Sequence, residues 1–224
     1  MTPKTPRVGR PRATPEADVT REDSVEDVIL SAARNLFRTQ GFSATTTREI
    51  AAAAGLRQPS MFHYFPNKMA MLEAVALAAI EPEAAFVEAE KRRGDGPDVA
   101  LYRYTYFIVC NLSTNPNVMG RPEQFPELTR AISPTFWRHY DLIYGYLQKL
   151  LRAGRRARLF VSLDTDTMAQ QLFALIEAPL AARPLPVKRA IRNAEIAAEL
   201  VLRAVLEDPE RLSLAKASPP AISR

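Results

Sequence analysis

Thr45-Thr-Thr-Arg-Glu-Ile-Ala-Ala-Ala-Ala-Gly-Leu-Arg-Gln-Pro-Ser-Met-Phe-His-Tyr-Phe65 holds two helix starts separated by one glycine. Thr46-x-x-Glu49 has the spacing of a capping box, in which the hydroxyl and the carboxylate each satisfy the other residue's backbone N–H. Ala51 to Ala54 favours helix by propensity, and Gly55 supplies the stop. Pro59 suits the first turn of a second short helix, expected from Gln58 to about Phe65. Two short helices around a glycine turn follow helix-turn-helix grammar. On a wheel at about 100° per residue, Met61 and Phe65 share an inward face. Pro59, Ser60 and His63 point away from it, with Phe62 and Tyr64 on the flanks. That outward set is small and polar and holds no carboxylate to repel phosphate.

A helix of this size fits the major groove of B-form DNA, with its N-terminal residues at base edges. The candidate DNA-contacting residues are Thr46, Thr47, Arg48, Arg57, Gln58, Pro59, Ser60, His63, Tyr64 and Lys68. Arg48, Tyr64 and Lys68 are placed for phosphates, and the two helix N-termini add partial positive charge at the same surface.

Working outward, Val25, Val28, Ile29, Ala32, Ala33, Leu36 and Phe37 form an amphipathic helix stripe. Ser24 is its N-cap with Asp27 at N3, and Gly41 closes it. Asn67 caps a fourth helix through Ile80, where Pro82 predicts a kink or break near Glu81.

The net charge of +5 is unevenly spread. Lys4, Arg7, Arg10 and Arg12 stand in the first fifteen residues without an acid. The interval from Glu16 to Asp27 is acidic. Arg34, Arg38, Arg48, Arg57 and Lys68 face only Glu49 between Val28 and Ala70. A basic arm beside a basic helix-turn-helix suggests a polyanion partner, nucleic acid foremost, against the plainer reading of a solvated face. Arg7-Val-Gly-Arg10-Pro-Arg12 also has the Gly-Arg-Pro core of AT-hook segments, which lay arginines into a narrow minor groove. The alternative is an unordered tail, since four prolines and few large apolar groups occupy the first twenty residues.

Several classes are set aside. One cysteine, Cys110, excludes an internal disulfide framework, and with only His63 and His139 no metal site is expected. No apolar run reaches the ~18 residues of a membrane span, and no signal peptide is visible. The expectation is a soluble cytoplasmic protein without a cofactor. Catalysis needs a nucleophile with its base, paired carboxylates or a phosphate-cradling loop. Asp164 and Asp166 face apart on a helix and read as capping. The competing classes are a helical enzyme and a protein-interaction module without DNA affinity.

Ile29-Leu-Ser-Ala-Ala-Arg-Asn-Leu-Phe37, Gly41-Phe42, Thr45-Thr-Thr-Arg-Glu-Ile-Ala51, Ala54-Gly-Leu56 and Phe62-His-Tyr-Phe65 before Lys68 together resemble the TetR family of bacterial transcriptional regulators. The likeness covers roughly residues 22–82. It implies an all-α homodimer: an N-terminal three-helix helix-turn-helix domain on a palindromic operator, and a larger helical domain holding an inducer pocket and the dimer interface. The implied function is a repressor released from its operator by a small, largely apolar or aromatic ligand, the alternative being a regulator without an inducer. Arg57 stands where the family often has a Ser or Thr cap, Phe62 where a Tyr is common, and Met69 where a Glu is frequent.

The expected organisation is a basic arm over 1–21, the helix-turn-helix domain over 22–82, a ligand-binding and dimerisation domain over 83–208, and a fraying tail over 209–224. Leu101 to Leu112 is ambiguous, because Tyr102, Tyr104 and Tyr106 alternate as in a strand while Leu101, Thr105, Ile108 and Leu112 recur as in a helix. Asp98 is a fair cap for the latter. Further helices are expected over Pro134–Leu151, Asp164 to about Ala182, and Val187–Glu207.

Ten of eighteen aromatic residues lie between Tyr102 and Tyr146. Tyr102, Tyr106, Phe107, Trp137, Tyr140, Tyr144 and Phe173 are the candidate pocket residues, an ordinary core being the competing reading. Met168, Leu172, Leu175 and Ile176, with Ile191, Ala194, Ala198, Val201 and Val205, form two apolar stripes expected at the dimer interface, unless they face the chain's own core.

Overall fold

Ser24 opens the first helix as its spacing predicts: its hydroxyl accepts the Asp27 N–H, while Asp27 accepts the Ser24 N–H at 3.1 Å. The computed structural model describes residues 24–119, 125–130, 133–162, 164–181 and 184–220. Within them the fold is all-α, in the order α1 (Val25–Gln40), α2 (Thr47–Ala53), α3 (Gln58–Met61), α4 (Lys68–Glu90), α5 (Pro97–Thr114), α6 (Pro134–Arg156), α7 (Thr165–Ile176), α8 (Val187–Val205) and α9 (Arg211–Lys216). A 3₁₀ turn, Ala178–Ala181, follows α7, and a single bridge joins Phe160 to Leu206. The arm residues Arg7, Arg10 and Arg12 lie outside the described residues.

The head is built from α1 to α3 and the start of α4. Ile29, Ala33 and Phe37 of α1 are buried together with Ile50 and Ala51 of α2, Met61 of α3 and Met71 and Leu72 of α4. Gly55 ends α2 at φ 70°, with Leu56 N–H on the Ala51 carbonyl at 2.8 Å and Gly55 N–H on Ala52 at 3.1 Å. That bond pair is a Schellman motif, and its left-handed residue costs any other L side chain about 1–2 kcal/mol.

α3 is shorter than its wheel implied. It stops at Met61, and the chain continues in turns with His63 N–H on Ser60 and Tyr64 N–H on Met61. Pro66 disfavours helical backbone at Phe65, and Arg57 offers no side-chain cap, so propagation fails.

α4 is longer than the sequence suggests: it does not end at Ile80 or break near Glu81, and runs through Pro82 to Glu90. Proline leaves the Ala78 carbonyl without its helical donor. Ile80, Glu83, Ala84 and Val87, all buried, hold the helix on both sides of the defect. The expected boundary at residue 82 therefore falls inside a helix that joins head and body.

α5 resolves the ambiguous tyrosine run as helix. Gly96 is the N-cap and Pro97 is N1, so Asp98 is not the cap. Tyr102, Tyr104 and Tyr106 are all buried because α4, α6, α8 and α9 pack around α5. A helix buried on every side loses its apolar period, which is why a period of two showed through.

The tail expected to fray after Asp208 instead forms α9, with Leu212 and Ala215 buried. Arg211 reaches the fully buried Asp98 at 2.7 Å. Arg103 holds Glu90 through two bonds, at 2.7 and 3.0 Å, and donates to the Ser218 carbonyl at 2.9 Å. Two polar clasps thus fasten the tail to α5. Gly154 of α6 is needed for close approach, since a Cβ there would sit 2.0 Å from the Phe160 ring.

Candidate nucleic-acid interface and internal cavity

The outer face of the helix-turn-helix is assembled as the sequence predicts, with three reassignments. Arg48, Arg57, Pro59, Ser60, His63 and Tyr64 are exposed on it, and neither arginine has an ion-pair partner among the described residues. Phe62 lies beside them, 40% exposed.

Thr46 is exposed, but its hydroxyl donates to Glu49 at 2.7 Å, closing the capping box. That hydroxyl, followed by the Thr46 N–H, holds the Glu49 carboxyl below its ordinary range, so it stays ionised while engaged. Gln58 donates to the Thr47 hydroxyl at 2.7 Å and so fixes α3 against α2.

Lys68 is the clearest correction. Its ammonium donates to the Phe42 and Thr45 carbonyls at 2.6 and 2.7 Å and stands 4.3 Å from the Phe42 ring centroid. It staples α4 to the loop between α1 and α2, and its donors are used there rather than on a phosphate.

Beneath the head lies a cavity of about 70 Å³ between α4, α5, α6 and the chain after α7. Of the seven aromatic candidates only Tyr140 and Phe173 line it. Trp137 and Tyr144 stand behind these two, with ring centroids 5.4 Å from Tyr140 and 5.0 Å from Phe173. Tyr102 and Tyr106 are on the α8 side of α5, within the electrostatic reach of Glu195, and Phe107 stacks on Phe86 at 4.0 Å. Those three aromatics are core.

The lining outside the candidate set is aliphatic and acidic, with the rings of Phe125 and Phe136 beside it. Ile80, Ile108 and Ile143 form walls, and Glu83 and Glu177 enter among them. Glu83 is 5% exposed and accepts from the Asn111 amide at 2.9 Å. Burial pushes its carboxyl up to about 8; the Asn111 bond opposes this, and the charge of Glu177 adds to it. Glu177 accepts from the Tyr140 hydroxyl at 3.3 Å. The sequence did carry a signal: Ile80, Glu83, Ala84 and Val87 fall on one helical stripe, and so do Phe173 and Glu177. A carboxylate interrupting an apolar stripe is what should have been noticed.

The cavity wall also touches the head. Asn117, which lines it, accepts from Arg34 of α1 at 2.6 Å. Nearby, Glu127 accepts from Ser43 of the loop after α1 at 3.0 Å.

The expected dimer stripes mostly face inward. Leu172, Ile176, Ala194, Ala198, Val201 and Val205 are buried in the chain's own core, and Met168 and Ile191 are half-buried. Of the named set only Leu175 is exposed. The large apolar side chains that α7 and α8 do expose are Leu175, Val187, Ile196 and Leu200. A stripe packed on its own domain and one awaiting a second copy have the same periodicity.

The fold and the outer face define a helix-turn-helix protein with a helical body. Residues 29–75 match the family model described as bacterial regulatory proteins, tetR family. Over those residues, which make up the head and the start of α4, the chain is similar to that family. The HTH-type transcriptional regulator EthR of Mycolicibacterium smegmatis is 37% identical over 118 residues, half of each protein. The HTH-type transcriptional repressor KstR2 of the same organism is 37% identical over 62 residues, 28% of each. The chain thus spans half or less of the length of these curated relatives. A regulatory protein of the tetR family from Rhodococcus RHA1 superposes with a TM-score of 0.73 at 22% identity, over 83% of this chain and all of that one. This last likeness extends the shared fold into the body. Among the described residues no helix is long and apolar enough to cross a membrane.

Proposed function

We propose that the chain is a DNA-binding transcriptional repressor whose operator is released when a small, largely apolar ligand enters the cavity. The observation that carries this reading is one bond, Arg34 to Asn117 at 2.6 Å, which ties a helix of the reading head to the cavity wall. α4 makes a second connection. Its first residue, Lys68, is stapled to the loop after α1, and Ala76, Ile80 and Glu83 farther along it line the cavity. A ligand that displaces this wall moves the head, so ligand and DNA must weaken each other's binding by the same factor.

Operator contact falls to Arg48, Arg57, Pro59, Ser60, His63 and Tyr64, with Thr46, Thr47 and Gln58 holding the two short helices in register. Arg7, Arg10 and Arg12 add minor-groove or phosphate contacts from the arm. Two copies associate through the exposed Leu175, Ile196 and Leu200 faces, placing the heads roughly 34–36 Å apart for half-sites one turn apart.

A mobility shift with the DNA upstream of the protein's own coding sequence, at two salt concentrations, tests the reading. Retention that falls with salt is expected, and Arg48→Ala with His63→Ala should abolish it. Unchanged retention by that double variant refutes the assignment of the head. A second reading, a regulator without an inducer, is favoured by the size of the cavity. About 70 Å³ is well under the ~300 Å³ at which ligand pockets ordinarily begin. In that case no ligand changes DNA retention.

A further inference from the structure

Glu83 stands out among the buried groups. It is a carboxylate on a helix, nearly inaccessible, surrounded by isoleucines and alanines, and it lines a cavity. One oxygen accepts from Asn111. Among the described residues no lysine, arginine or histidine pairs with it. A buried acid of this kind costs stability unless something compensates it. Two other buried acids of the body show the usual compensation: Glu90 has Arg103, and Asp98 has Arg211. Glu83 has a cavity instead.

We infer that the cavity recognises an organic cation, an apolar body carrying a protonated nitrogen that rests against Glu83. This deepens the ligand-responsive reading above and rests on it. Isoleucine walls and the rings of Phe136, Tyr140 and Phe173 suit an apolar body. Aromatic rings near a desolvated cation add further attraction. A nitrogen–carboxylate bond carrying charge on both partners is about twice as strong as a neutral one. An anionic ligand would meet the Glu83 carboxyl in a low-dielectric site.

The proton balance supplies a signature. The carboxyl of Glu83 is held up near 8 by burial, so it is protonated at neutral pH. An incoming ammonium makes it ionise, and one proton leaves to solvent. Affinity for the cation therefore rises with pH, approaching tenfold per unit below about 8. The titratable groups facing Glu83 from neighbouring elements are Glu177, Tyr140 and Tyr104. Tyr104 is held far above its ordinary value by burial, followed by the charges of Glu83 and Glu177, and stays neutral throughout.

The test uses three probes with one tail: n-octylammonium, 1-octanol and octanoate, titrated into the full chain. Trp137 is the only tryptophan in the sequence, and it donates to the carbonyl of the cavity residue Leu128 at 2.7 Å, so its fluorescence reports occupancy. The expected order is ammonium first, by about tenfold over the alcohol (about 1.4 kcal/mol), with octanoate weakest. The preference should widen from pH 6 to pH 8, and Glu83→Gln should remove it. The pH dependence of the unaltered protein stands as evidence even if that variant folds poorly. Octanol or octanoate binding as tightly as the ammonium, or none of the three binding, overturns the inference. DNA retention is followed in parallel. Octanol that releases DNA without any ammonium preference leaves the ligand-responsive reading standing and sinks the cation. An ammonium preference without DNA release does the reverse.

Discussion

The head and the body of this protein use the same charged side chains in opposite ways. In the head, Arg48 and Arg57 are exposed with no anionic partner among the described residues, and Lys68 is committed to backbone carbonyls. In the body, Arg103 and Glu90 meet out of water, and Arg211 reaches inward to a buried Asp98. The outer face of the head thus keeps its two arginines uncompensated among the described residues. A domain that must hold together around a cavity spends them on fixed internal partners. Residue type alone does not distinguish these uses; burial and distance to a partner do.

The sharpest way to break the contrast is to remove one half of a buried pair. Arg103→Ala leaves the buried Glu90 with only the longer 3.6 Å contact of Arg93 and should cost about 3 kcal/mol in urea unfolding. Arg48→Ala, exposed and unpaired, should leave stability within about 0.5 kcal/mol. Equal effects on the two would erase the distinction.

Lys68 tests the border between the two uses. Lys68→Met removes two charge-assisted bonds to carbonyls and should cost about 2–3 kcal/mol in thermal or urea unfolding. The salt dependence of DNA binding should keep its slope. Arg48→Ala, by contrast, should flatten that slope by about 0.9, one phosphate contact. A flattened slope in the Lys68 variant with unchanged stability would return Lys68 to the DNA face.

Glu83 is a buried acid with no cation partner among the described residues, and pH exposes it. Its folded value, about 8, lies above the ordinary 4.5, so its favourable contribution is complete below about 4.5 and is lost as pH rises towards 8. Relative to Glu83→Gln, the unaltered protein should lose about 1.4 kcal/mol per pH unit within that window. Parallel stability curves for the two proteins would mean that Glu83 ionises freely. A smaller loss is expected at the head's own turn. Gly55→Ala forces a side chain onto φ 70° and should cost about 1 kcal/mol, measured by unfolding.

What could be read from the sequence followed the same division. The helices of the head announce themselves within a few residues: Ser24 with Asp27, Thr46 with Glu49, and Gly55 at the stop. Their outer face was legible because helix polarity and turn position fix which side chains point outward. Lys68 was misplaced because its partners are carbonyls of a loop more than twenty residues earlier, and no pattern records a backbone acceptor. The body was harder. Tyr102, Tyr104 and Tyr106 lost their helical period through burial on all sides. Pro82 does not end its helix, because Ile80 and Val87 are buried on either side of it. The stripe from Ala194 to Val205 was assigned to a partner when it faces its own domain. The aromatic run points only partly to the cavity, whose distinctive members are two glutamates with apolar surroundings drawn from several helices.

The Arg103 bond to the Ser218 carbonyl has a consequence for biosynthesis. On the ribosome, residues 24 to 75 emerge together and contain nearly everything the head packs against. The body cannot close its clasps until residue 218 has left the exit tunnel, 115 positions after the arginine that receives it. A head able to fold early is thus tethered to a body whose clasp waits for more than a hundred further residues to be made.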